Sequence, residues 1–136
     1  PLIPCGGSSA YQYAFKRLVL PKLRAFNPDI VMVACGFDAS GVDPLSRMLL
    51  GAADFALLTK MLMEFTSGKL VMAHEGGYSE THVPFCGHAV LQTMSGAAIT
   101  ADDPLGARII GQQPDPRFNQ LQDEILKEIA DLHHLS

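Results

Sequence analysis

Apolar residues recur along this chain with two different periods. After a Pro- and Gly-bearing start at residues 1–7, Tyr11, Ala14, Phe15, Leu18, Val19 and Leu23 fall three or four residues apart. That spacing predicts a helix capped by Ser8 or Ser9, with a kink at Pro21. Asn27-Pro28 breaks it. Ile30-Val31-Met32-Val33-Ala34-Cys35 then runs without a polar residue, as a strand buried on both faces does. A loop from Gly36 to Pro44 leads into a second helical pattern, Leu49 to Phe65, with Gly68 placed as its C-terminal cap. Leu70-Val71-Met72-Ala73 reads as another short strand. A third helix is predicted within 80–98, from near Pro84 to near Gly96, and an irregular stretch over 99–116. A last amphipathic helix should bury Phe118, Leu121, Ile125, Ile129 and Leu132.

Helices alternating with short strands predict an α/β architecture with parallel strands. Two strands make a poor sheet, and a fully buried strand needs neighbours that this chain does not obviously supply. The expectation is therefore part of a larger fold. The missing initiator Met, with Pro1-Leu2-Ile3-Pro4 at the start, points the same way.

Composition narrows the function classes. The chain's 136 residues suffice for one core, and 48 % hydrophobic against 18 % charged residues argues for a globular domain. A net charge of −4 with no basic run gives no nucleic-acid footprint. The apolar runs are too short to cross a bilayer, so no membrane partner is expected. Cys5, Cys35 and Cys86 are odd in number and far apart, which fits neither a disulfide framework nor a thiolate metal site and suggests a reducing cytoplasm.

Ligands of open α/β sheets bind beyond the carboxyl ends of the strands. Two loops qualify: Gly36-Phe37-Asp38-Ala39-Ser40-Gly41-Val42-Asp43-Pro44-Leu45, and Glu75-Gly76-Gly77-Tyr78. Parallel neighbouring strands would bring both to one edge. Asp38 could be a metal ligand, a general base or a helix cap. Tyr78 could stabilise an oxyanion or be an ordinary half-buried residue after a tight turn.

Residues 28–45, and His74-Glu75-Gly76-Gly77-Tyr78 behind them, resemble two segments of the zinc-dependent histone deacetylase and acetylpolyamine amidohydrolase superfamily, class II type. The first looks like the segment around the family's last zinc-binding aspartate, the second like the loop of its catalytic tyrosine. Val19-Leu20-Pro21 before Phe26-Asn27-Pro28-Asp29 is also similar, so the resemblance covers roughly residues 1–98, with 99–136 a less diagnostic loop and terminal helix. It implies the C-terminal part of a single three-layer αβα domain with a mainly parallel sheet, arginase/deacetylase-like. It also implies zinc-dependent removal of an acyl group from lysine or a polyamine. Asp38 would be one of three zinc ligands, Tyr78 the oxyanion donor, and Leu45, Gly76 and Gly77 parts of a narrow substrate tunnel. The family's tendency to oligomerise suggests a homo-oligomer.

The same resemblance exposes gaps. An Asp-x-His ligand pair and a His-His base pair would lie upstream of Asp38, and neither is found there. His133-His134 stand too late and are expected to be exposed at a helix end. The chain alone should be inactive, or else a non-catalytic truncated paralogue acting through association. A metal-free α/β hydrolase using Asp38 is a further alternative. His74 reads as a packed strand-end residue, Asp43 before Pro44 as a turn former, Cys35 as core, and His82 and His88 as helix residues without a role in the reaction.

Overall fold

A computed structural model describes residues 2–98 and 100–135; Pro1 and Ile99, the first residues of two predicted irregular stretches, lie outside the described residues. Helix α1 (Ser8–Ala14) runs through a π-helical turn (Phe15–Val19) into α2 (Leu20–Phe26). The expected kink at Pro21 is replaced by that widened turn immediately before it, which fits a residue that can neither donate to the preceding turn nor tolerate its carbonyl. Ser8 does not cap the helix. Gly7 holds the cap position, and the Ser8 amide donates to Gln113 Oε1 at 2.9 Å. Asn27, left-handed at φ 51°, ends α2.

Strand β1 (Val31–Cys35) pairs in parallel with β2 (Leu70–His74), Val31 opposite Leu70 and Cys35 opposite His74. Helix α3 (Ala52–Thr66) connects them, and α4 (Val83–Ser95) follows β2 and packs along α3. Helix α3 ends at Ser67, in the left-handed conformation at φ 52°, one residue before the expected Gly68.

The core lies on one side of the strand pair. Val31, Leu70, Leu20 and Leu62 form one cluster; Cys35, Phe37, Leu50, Phe55, Cys86 and Val90 belong to a larger one beside it. The outward side is different. Met32 is 74 % exposed, Val71 42 %, and Ala34 and Ala73 are exposed as well. The expectation of a strand buried on both faces therefore fails for β1 within these residues: its inward face is covered and its outward face is open.

The stretch 99–116 is not wholly irregular. It contains a short helix, α5 (Gly106–Gly111), whose Ile109 is almost fully buried against Gly41 and Gly51. Helix α6 (Pro116–Leu132) starts where Asp115 accepts hydrogen bonds from the Arg117 and Phe118 amides. Its buried stripe is Gln122, Leu126 and Ala130, four residues apart, with Leu121 and Leu132 exposed. The helix packs on α1 and the π-helical turn through a face rotated from the predicted one. Gln122 contributes to that choice: its Oε1 accepts the Ile3 amide at 2.7 Å, so a polar residue takes the first buried position of the stripe.

Candidate active site

The parallel register delivers the two strand ends to one edge, and the chain keeps pairing beyond them. The Glu75 amide donates to Cys35 O at 3.2 Å and the Phe37 amide to Gly76 O at 2.8 Å. This places the Asp38 loop directly against the Gly76-Gly77-Tyr78 loop. A methyl group built on Gly76 would stand 2.7 Å from Asp38 Oδ2 and 3.6 Å from Tyr78 Oη. The first distance is so short that a side chain there would push the Asp38 carboxylate aside. The second shows that the carboxylate and the phenol flank the same point on the backbone. Gly77 is constrained as well: its φ is +127°, and a side chain there would press on Phe37 and Val83 at 3.0 Å.

Both chemistry-bearing groups are accessible. Asp38 is exposed, and neither salt bridge among the described residues engages it. Tyr78 is 54 % exposed. Leu45 projects from the same loop as Asp38 and is exposed too. The structure thus brings Asp38, Gly76, Gly77 and Tyr78 together, with Leu45 at the far end of the Asp38 loop.

Tyr11, assigned by its spacing to the apolar face of the first helix, also faces the site. It lines a cleft of about 300 Å³ with Asp38, Leu50 and Phe55. Burial, and then the negative charge of Asp38, push the Tyr11 hydroxyl above its usual range. Only the fold could reveal that proximity.

Beneath the edge runs a buried polar relay. Ser40 Oγ and His82 Nδ1 are 2.6 Å apart, and His82 Nε2 lies 2.8 Å from Asp103 Oδ2. His82 and Ser40 are shut off from solvent, so this Ser-His-Asp order is structural and offers no nucleophile to a substrate. Burial works against ionisation of Asp103, but hydrogen bonds from His82 and the Leu105 amide outweigh it and hold the carboxyl below its ordinary value. Cys86 packs 3.5 Å from His82 Nδ1. Burial, followed by the charges of Asp103 and Cys35, pushes its thiol up to about 12, so it is unreactive. His82 therefore does more than occupy a helix. His88 is exposed on α4.

Two expectations need correction. His74 is exposed at the strand end, its ring 5.2 Å from that of Phe37, and not packed into the core. Asp43 does form a turn, accepting the Leu45 and Ser46 amides, but its second oxygen reaches the Tyr78 amide. An Asp-x-His spacing also exists, at Asp131-Leu132-His133. It lies at the exposed end of α6, where neighbours two apart point to different sides of the helix. No group of three ligating side chains gathers among the described residues.

The family described as the histone deacetylase domain matches residues 1–94. This chain belongs to the histone deacetylase family. It is 46 % identical over 134 residues to the histone deacetylase-like amidohydrolase of Pseudomonas aeruginosa, an alignment covering 96 % of this chain and 35 % of that protein. It is 41 % identical over 90 residues to histone deacetylase clr3 of Schizosaccharomyces pombe, covering 66 % of this chain and 13 % of that one. The solved structure of the histone deacetylase Clr3 superposes with a TM-score of 0.73 at 30 % identity, over 94 % of this chain and 20 % of the other. The chain thus spans about a third of the bacterial deacetylase relative it matches, and its α/β fold is a portion of the deacetylase domain. The match to the P. aeruginosa protein covers nearly the whole chain, so the 99–135 segment shares in the likeness although the family match ends at 94.

Proposed function

We propose that residues 1–136 supply one side of the active site of a zinc-dependent amidohydrolase, which removes an acyl group from the amine of a lysine or a polyamine and releases a carboxylate. The observation that carries this reading is the meeting of Asp38 Oδ2 and Tyr78 Oη around Gly76. An exposed strand-end carboxylate is a donor of the type that catalytic zinc takes. Bound zinc polarises an acyl carbonyl and activates water. Asp38 would hold it as one ligand of three. On this reading the other two ligands and the histidine base come from outside these residues, for no group of three ligating side chains gathers among the described ones.

Tyr78 would donate its hydroxyl hydrogen to the carbonyl oxygen as negative charge grows there. Gly76 keeps the approach clear of side chains, and Leu45 with the two glycines would line the passage for the extended amine. The three unpaired cysteines favour a reducing compartment such as the cytoplasm. Residues 1–136 alone should not turn over substrate. A second reading, a non-catalytic product acting by association, draws support from the open apolar face of the strand pair.

The test is made in the intact protein. Asp38→Ala is expected to lose both bound zinc and turnover. Tyr78→Phe should keep the metal and slow turnover by about a hundred- to a thousandfold. Full activity of Tyr78→Phe on an acyl-lysine substrate would remove Tyr78 from the reaction, and zinc retained by Asp38→Ala would remove Asp38 from the ligand set. Titration of residues 1–136 with zinc should show weak binding only, and a tight one-to-one site would contradict the shared ligand set.

A further inference from the structure

We propose that Asp43 is the positioning residue of this site: its carboxylate fixes the backbone at Tyr78 and thereby aims the phenol beside Asp38. The inference rests on the reading of Tyr78 as the oxyanion donor.

Asp43 is buried, and both of its oxygens are used. Oδ1 accepts the Leu45 amide at 2.9 Å and the Ser46 amide at 3.2 Å. Those two bonds account for the turn at Pro44, and a turn needs nothing more. Oδ2 does something a turn former does not: it accepts the Tyr78 amide at 2.7 Å, across 35 residues.

The position of this bond is what makes it matter. Regular strand pairing ends at His74, and its irregular continuation ends at Gly76. Gly77, at φ +127°, then turns the chain through a conformation that glycine adopts without strain. Tyr78 leaves that turn with no strand neighbour, and helix α4 begins only at Val83. Between the turn and the helix, the Asp43 carboxylate is what grips the backbone of Tyr78 itself. Asp43 is in turn tied to the Asp38 loop, because its own amide donates to Ser40 O at 3.1 Å. A shift of the Asp38 loop is therefore passed to Tyr78, and the two functional oxygens move as a pair. Misplacing a reacting group by about 1 Å can slow catalysis about a hundredfold, so a clamp of this kind has a kinetic consequence.

Asp43→Asn separates the two jobs of the carboxylate. One amide oxygen can keep the turn at Leu45, but the –NH2 that replaces the other oxygen cannot accept from Tyr78. In the intact protein, amide exchange at single-residue resolution is expected to quicken at Tyr78 by about ten- to a hundredfold, with Leu45 and the α3 amides unchanged. Turnover of an acyl-lysine substrate should fall by about ten- to a hundredfold in kcat with KM little altered. Adding Asp43→Asn to Tyr78→Phe should slow the enzyme no further than Tyr78→Phe does alone. The proposal is overturned if Tyr78 exchange is unchanged, if α3 loses protection together with Tyr78, or if the two substitutions multiply in kcat. If Tyr78→Phe alone leaves turnover intact while Tyr78 exchange still quickens in Asp43→Asn, the oxyanion reading fails and the clamp stands as a structural contact only. Asp43→Glu keeps both acceptor oxygens on a longer arm and should restore part of the lost kcat; no restoration would again count against the clamp.

Discussion

The two faces of the β1–β2 pair carry nearly the same side chains and meet different surroundings. Inward, Val31 and Leu70 are closed over by Leu20 and Leu62. Outward, Met32, Ala34, Val71 and Ala73 stand open. Among the described residues a helical cover is thus present on one side only, although both sides are apolar. The composition of a strand records the whole sheet it was selected for, whereas its exposure records only the residues present to cover it. The open face therefore agrees with a chain that spans about a third of its bacterial relative.

The sharpest way to test the contrast is to truncate a side chain on the covered face. Leu62 sits in the cluster with Val31 and Leu70, and Leu62→Ala should lower stability by about 2–5 kcal/mol through lost burial and the cavity left behind. Val71→Ala on the open face should change it by no more than about 0.5 kcal/mol. Paired denaturant titrations of the two variants decide the matter. Equal losses would mean that the outward face is covered in solution.

The next effect in size concerns the polar tie under the covered side. His82→Ala removes both partners of the relay at once, leaving Ser40 Oγ and Asp103 Oδ2 without their ring nitrogens. Unsatisfied buried groups cost about 1–3 kcal/mol, and thermal unfolding should show a loss of that order. No loss would mean that water replaces the imidazole without penalty.

The sequence displayed some of this plainly and hid the rest. The meeting of the Asp38 and Tyr78 loops at one sheet edge was legible because each loop follows directly on an apolar run. The parallel pair was legible because Ile30–Cys35 and Leu70–Ala73 contain no polar residue. The Asp43 clamp was not, since an Asp before Pro44 has a sufficient local explanation and its second partner is 35 residues away. The relay was hidden for the same reason: His82 lies 42 residues from Ser40 and 21 from Asp103. On α6 the periodicity was read correctly as a helix, but the apolar arc is wide enough to admit more than one buried face. A single hydrogen bond from Ile3 to Gln122 helps select a stripe that hydrophobicity alone would not choose.

A smaller effect follows from pH. The carboxyl of Asp103 is held below its ordinary value of 3.8 in the folded chain. A lowered native value means that its contribution is complete above the ordinary value and disappears as pH falls through the native one. Stability should therefore decline on acidification below about pH 4, and Asp103→Asn should flatten that part of the curve, offsetting it downward at neutral pH. An unaltered acid limb in Asp103→Asn would assign the decline to other carboxyls.

The smallest change in stability is expected on the open face, where it is accompanied by a change of another kind. Met32 has almost no contacts to lose, so Met32→Lys should shift unfolding by no more than about 0.5 kcal/mol. The same substitution places a charge in the middle of an apolar patch bordered by strand edges, the arrangement proteins use to prevent sheets from pairing. Residues 1–136 are expected to self-associate through this face, and Met32→Lys, more so with Val71→Lys, should shift the population toward monomer. Light scattering after size exclusion over a range of concentrations reads this directly. A monodisperse species near 14.7 kDa for the unaltered chain, with cooperative unfolding, would show that the outward face is stable in water by itself. In that event the contrast between the two faces would describe exposure alone and would predict nothing about assembly.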